Sequence, residues 1–153
     1  MADVITKTRT NYFKATDPDA LQALVNSVKT DGAPAVLVEN EKSGEFMFYC
    51  NGELQGTLTE RAKRHLETDP DWADDNPDEA YSMDVFRKQL QALVAPGDAC
   101  IVKTVGYEAM RCLFADADII TRDKMGYANL DDILTAKARS QLADNNWNTV
   151  YEG

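Results

Sequence analysis

The chain has 153 residues, 44 % of them hydrophobic and 27 % charged, with 26 acidic against 16 basic side chains and a formal net charge of −10. That length suits one domain with a full core, the composition is that of a soluble globular protein, and the charge disfavours direct binding to nucleic acid or an anionic membrane. No apolar run approaches the ~20 residues of a membrane helix, and the opening MADVITKTRTNYF lacks the apolar core of a secretion signal, so a cytoplasmic location is expected.

In chain order, Thr8 to Ala15 reads as a first strand carrying Tyr12 and Phe13. Thr16-Asp17-Pro18 is a helix start, because Thr16 or Asp17 can cap and proline suits the first turn. Leu21, Leu24, Val25 and Val28 then form one apolar stripe at helical spacing. Asp31-Gly32 is expected to end that helix through a left-handed glycine. A short strand over Ala35 to Val38, a turn at Glu41 to Gly44 and a strand over Phe46 to Cys50 follow. Asn51-Gly52 is the strongest hairpin signal, pairing that strand with Glu53 to Leu58. Thr59 can cap a short helix over Glu60 to Leu66, and Met83, Phe86, Leu90, Leu93 and Val94 share one face of a helix over Ser82 to Ala95.

The densest strand-forming stretch runs from Gly97 to Arg122. Ala99 to Val105 has Ala99, Ile101, Lys103 and Val105 on one face and Cys100, Val102 and Thr104 on the other, which predicts a central strand. Gly106 to Met110 reads as an irregular link, Leu113 to Thr121 as the next strand, and Lys124-Met125-Gly126 as a turn into Tyr127 to Leu130. Leu130, Ile133, Leu134, Ala138 and Leu142 support a last helix opened near Asp131, and the tail with Trp147 and Tyr151 is expected to pack back on the domain. This order predicts a single α+β domain over 1–153, a mostly antiparallel sheet with two or three amphipathic helices packed on it.

Few catalytic chemistries find their residues. The lone histidine, His65, sits in the charged segment RAKRHLE, where a solvent-facing ring is expected and a Cys–His dyad is the weaker alternative. Cys50, Cys100 and Cys112 are odd in number and lie in apolar contexts, which predicts reduced core thiols. No phosphate-cradling glycine loop, nucleophile elbow or zinc-ligand spacing is present, so no cofactor, no metal and no catalytic residue is expected.

The charge is concentrated. Glu67, Asp69, Asp71, Asp74, Asp75, Asp78, Glu79 and Asp84 follow one another with no Lys or Arg between them, so the remainder of the chain is nearly balanced. Read as a calcium loop from Asp69, the run puts Ala73 at position five, Asp74 where glycine is required and Ala80 where the bidentate glutamate belongs, and the spacing fails. Pro70 and Pro77 predict an acidic loop over 67–81. Spaced carboxylates there can imitate a line of phosphates and dock on a basic protein, with Trp72 and Tyr81 as aromatic anchors or, equally, as pins to the core. Two rivals are a ligand pocket or enzyme site using Tyr107, Glu108 and Arg111 beside the central strands, and a structural or homo-oligomeric subunit pairing through an exposed strand edge.

Arg9-Thr10-Asn11-Tyr12-Phe13 with Asp17 and the helix after it, together with Gly97-Asp98-Ala99 running into Val105-Gly106-Tyr107-Glu108 and Met110-Arg111, resembles small accessory proteins carried on bacterial plasmids, phages and other mobile elements. The resemblance covers about half the chain, at its two ends, and leaves out the acidic run. It implies a bacterial-host cytoplasm and an interaction protein, in the concrete case an anti-CRISPR or anti-restriction inhibitor acting by nucleic-acid mimicry.

Overall fold

The computed structural model describes residues 4–108 and 112–142. Among these residues nine strands and six helices follow in the order β1 (Val4–Thr10), α1 (Pro18–Ser27), β2 (Lys29–Thr30), β3 (Val36–Asn40), β4 (Glu45–Asn51), β5 (Leu54–Leu58), α2 (Glu60–Leu66), α3 (Trp72–Asp75), α4 (Pro77–Ala80), β6 (Tyr81–Ser82), α5 (Met83–Gln91), β7 (Ala99–Glu108), β8 (Cys112–Thr121), β9 (Met125–Asn129) and α6 (Leu130–Gln141). A six-stranded antiparallel sheet runs β3-β4-β1-β7-β8-β9, and a small sheet runs β2-β5-β6. The architecture is α+β in one domain, as the sequence predicts.

Alternation along the strands gives the large sheet two unlike faces. One carries Thr8, Thr10, Phe48, Cys50, Cys100, Val102 and Ile120, all buried under α1, α5 and β5. Phe13, Phe48 and Phe86 meet edge to face there, with ring centroids 6.4 and 6.2 Å apart, the arrangement aromatic quadrupoles favour. The two buried threonines have partners: Thr8 donates to the Gly52 carbonyl, and Thr10 accepts from the Phe48 amide while donating to the Asn11 carbonyl. Helix α1 starts as expected, with the Asp17 carboxylate accepting from Ala20 N and Pro18 in the first turn, and it buries Leu21, Leu24 and Val25. Ser82 caps α5 in the same way, and Phe86, Leu90 and Val94 are fully buried.

Several boundaries differ from the expected ones, each for a local reason. The first strand is Val4–Thr10 rather than Thr8 to Ala15. The Asn11 side-chain amide takes over the ladder, donating to the Ala99 carbonyl and accepting from Ile101 N, so the backbone leaves the sheet there. Helix α1 ends at Ser27 with Val28 extended, and Gly32 closes nothing. Gly32 is instead needed for close approach: a Cβ there would sit 2.2 Å from the Asn51 carbonyl oxygen. Asn51-Gly52 makes no hairpin, because β4 pairs with β1 and β3 while β5 belongs to the small sheet. It is a corner between sheets, held by Asp31, whose carboxylate accepts from Glu53 N at 2.6 Å. The hairpin of this region instead joins β3 to β4 through Glu41 to Gly44, with Gly44 at φ 71°. Strand β7 runs through Gly106, Tyr107 and Glu108 of the expected link, paired with β8 along its length and with β1 from Val102 onward; the rest of that link, Ala109 and Met110, lies outside the described residues. Cys50 and Cys100 are buried free thiols; the Cys112 side chain, Arg111 and the tail with Trp147 and Tyr151 lie outside the described residues.

Candidate functional site

The acidic run is folded, not a loop. It forms α3 and α4, two single turns, the second of them opened by Pro77, and with α2 it makes a lobe around buried Ala62, Ala73 and Ala80. His65 does not face solvent freely: its ring lies flat against Trp72, with centroids 4.2 Å apart and planes within 5°. Trp72 and Tyr81 are both half-buried against this small core, and Lys29 Nζ approaches the Tyr81 ring centroid to 5.9 Å. They hold the lobe in shape. The eight carboxylates from Glu67 to Asp84 are all exposed. Glu79 faces Arg61 at 3.8 Å and Asp84 faces Arg87 at 3.0 Å; none of the other six takes part in an ion pair among the described residues.

The pocket expected at Tyr107, Glu108 and Arg111 does not assemble from its described members. Tyr107 and Glu108 are successive residues of β7, so their side chains leave opposite faces of the sheet. Tyr107 is exposed on the open face, opposite Ile5 and Leu113.

That open face holds what the sequence reading missed. Arg9 of β1 stands directly opposite Lys103 of β7, and Lys7 lies two residues along on the same face. All three are exposed. A groove of about 620 Å³ is lined by Lys7, Arg9, Tyr12, Tyr49, Asn51 and Lys103 over a floor of Val38, Met47 and Val105. A second groove of about 290 Å³ continues from it, sharing Arg9 and Lys103 and adding Asn11 and Ile101. Among the described residues no carboxylate lines either groove, in a chain with ten more acidic than basic side chains. The signal was available in the alternation of Lys7 and Arg9 with Thr6, Thr8 and Thr10, which puts both cations on one face.

At the other end of the covered face, Glu53, Arg87, Thr104, Asp116, Asp118 and Tyr127 line a cleft of about 160 Å³. Arg87 bridges Asp118 and Asp84 at 3.0 Å each. Burial and the neighbouring Asp118 push the Asp116 carboxyl above the usual carboxylate range, against a hydrogen bond from Tyr127 that pulls it down. Burial and the nearby Asp31 and Asp116 push Glu53 up as well. Among the described residues no group of His, Cys, Asp or Glu is arranged to hold a metal ion, and no helix is long and apolar enough to cross a membrane. No family model, no curated protein and no solved structure matches the chain.

Proposed function

We propose that the chain is a non-enzymatic binding protein whose acidic lobe engages a basic protein partner. In the concrete case the partner is a nucleic-acid-binding defence complex of a bacterial host, and the chain is an inhibitor supplied by a mobile element. The observation that carries the reading is the preformed lobe: seven solvent-facing carboxylates from Glu67 to Glu79 on the segment folded around the Ala62–Ala73–Ala80 core and the His65–Trp72 stack, six of them outside any described ion pair, with Asp84 following at the start of α5. A fixed array loses little entropy on docking, and its unneutralised charge steers a basic partner into place. The non-enzymatic part of the reading is supported by His65, flat against Trp72, and by Cys100, whose burial pushes the thiol up and away from the nucleophilic thiolate.

The test is capture from bacterial lysate by wild type and by a variant with Asp71, Asp74, Asp75 and Asp78 changed to Asn. A partner held by wild type, lost in the variant, released by salt and displaced by added DNA is the expected result. A partner retained equally by both forms overturns the reading.

A further inference from the structure

The acidic lobe joins the molecule through β5 and β6, on the covered side of the large sheet; the Lys7–Arg9–Lys103 groove opens on the other side. We propose that this open face binds single-stranded nucleic acid across β4, β1 and β7, independently of the lobe.

Three observations point there. The first is charge. Like charges directly opposed across antiparallel strands destabilise a sheet, yet Arg9 and Lys103 stand in that register with no hydrogen bond or ion pair to a carboxylate among the described residues. Such a pair is relieved by an anion laid between them, and Lys7 extends the line. The second is aromatic surface. Tyr12 and Tyr49 border the same groove and are 41 % and 40 % exposed, so each offers a ring face on which a base can stack. The apolar floor of Val38 and Val105 suits the rest of a base, and the side-chain amide of Asn51 can meet its polar edge. The third is position. The grooves lie over the middle of the sheet, where the backbone of β1 is already paired on both sides. A strand-forming acidic peptide needs a free edge, which in the large sheet lies at β3 and β9, away from the grooves, among the described strands. A nucleic-acid strand needs none: it binds through phosphates and stacked bases alone.

The probe is a fluorescent oligothymidylate of about 12 nucleotides, followed by anisotropy over a salt series, with unlabelled polyglutamate as competitor. Wild type is expected to bind at low salt, with log affinity falling against log salt at a slope of about −2, from roughly 0.7 per neutralised phosphate for three cations. Lys103→Ser should weaken binding and make that slope shallower by about 0.7. Tyr49→Leu should weaken binding about tenfold or more at every salt concentration and leave the slope alone. The variant with four lobe aspartates neutralised should bind the oligonucleotide at least as well as wild type, which separates this face from the lobe. Three results would overturn the proposal: no binding at low salt, binding indifferent to both Lys103→Ser and Tyr49→Leu, or displacement by polyglutamate as effective as by unlabelled oligonucleotide. The last would assign the face to an acidic protein.

Discussion

Phe48 and Tyr49 are adjacent in β4, and they share nothing else. Phe48 is fully buried between Phe13 and Phe86, whereas Tyr49 is 40 % exposed beside Arg9. The same division runs through the whole large sheet: Thr8, Cys100 and Val102 go under the helices, while Arg9, Ile101 and Lys103 stay in the open. Helices α1 and α5 and the small sheet cover one face, and among the described residues only α6 reaches over the other, at its far end, where Leu130 and Ile133 border Ala115, Ala117 and Ala128. Ile133 and Leu134 of that helix remain exposed. Strand alternation therefore decides which residues are spent on stability and which remain for contact.

The sharpest way to break this comparison is to truncate both neighbours. Phe48→Ala removes a ring from the centre of the aromatic cluster and should cost about 3–5 kcal/mol, enough to threaten folding. Tyr49→Ala should cost under about 1 kcal/mol, because its ring already meets water. Urea denaturation of both variants reads the contrast. Similar losses would mean that the open face is covered in solution, which would argue for self-association through it.

Much of this was legible in the sequence, and the failures share a cause. Helical stripes and caps were readable because they are local: Leu21, Leu24 and Val25 repeat every turn, and Asp17, Thr59 and Ser82 each bond an amide three residues on. Strand partners are not local. Asn51-Gly52 has hairpin composition, yet Asp31 and Gly32, about twenty positions earlier, crowd against it and turn it into a corner. The strand ending at Thr10 ends because Asn11 finds Ala99 and Ile101, far along the chain. The acidic run was visible as charge but not as structure, since its small core depends on Ala62, Ala73 and Ala80 meeting from three separate turns. The cationic groove needed the β1–β7 register, which puts residues of the first strand opposite residues more than ninety positions later.

That register makes a second, smaller test possible. Lys103→Glu turns the opposed like pair with Arg9 into an opposed ion pair, and should raise stability by about 0.2–1 kcal/mol. The same change should abolish oligonucleotide binding. Stability gained as binding is lost would show that Arg9 and Lys103 are held together at a cost to the fold. A loss of stability would show that Lys103 already has an anionic neighbour in solution and would remove the first argument for the groove.

The smallest effect is expected where the cover of the buried face runs out, at Asp116. This residue alternates with the open-face Ala115 and Ala117 and so points to the covered side, but it reaches only the half-open cleft with Glu53 and Asp118. Its carboxyl is raised above the ordinary 3.8 by burial and by Asp118, so the fold favours its protonated form. Below the unfolded-state value both folded and unfolded chains hold the proton, and there is no penalty. As pH climbs through the raised folded-state value, the folded chain must give up a proton that it holds more tightly than the unfolded chain, and stability falls to a plateau. Asp116→Asn abolishes that titration while keeping an oxygen that can accept from the Tyr127 hydroxyl. The variant should therefore be more stable than wild type at pH 7, with the advantage shrinking as pH falls towards 4; thermal melts across that range read it. Relieving Glu53, which Asp116 also pushes up, adds to the gain in the same direction. A variant less stable at pH 7 would mean that the ionised carboxylate is itself a structural partner there, and the cleft would then belong with the interior of the molecule rather than with its surface.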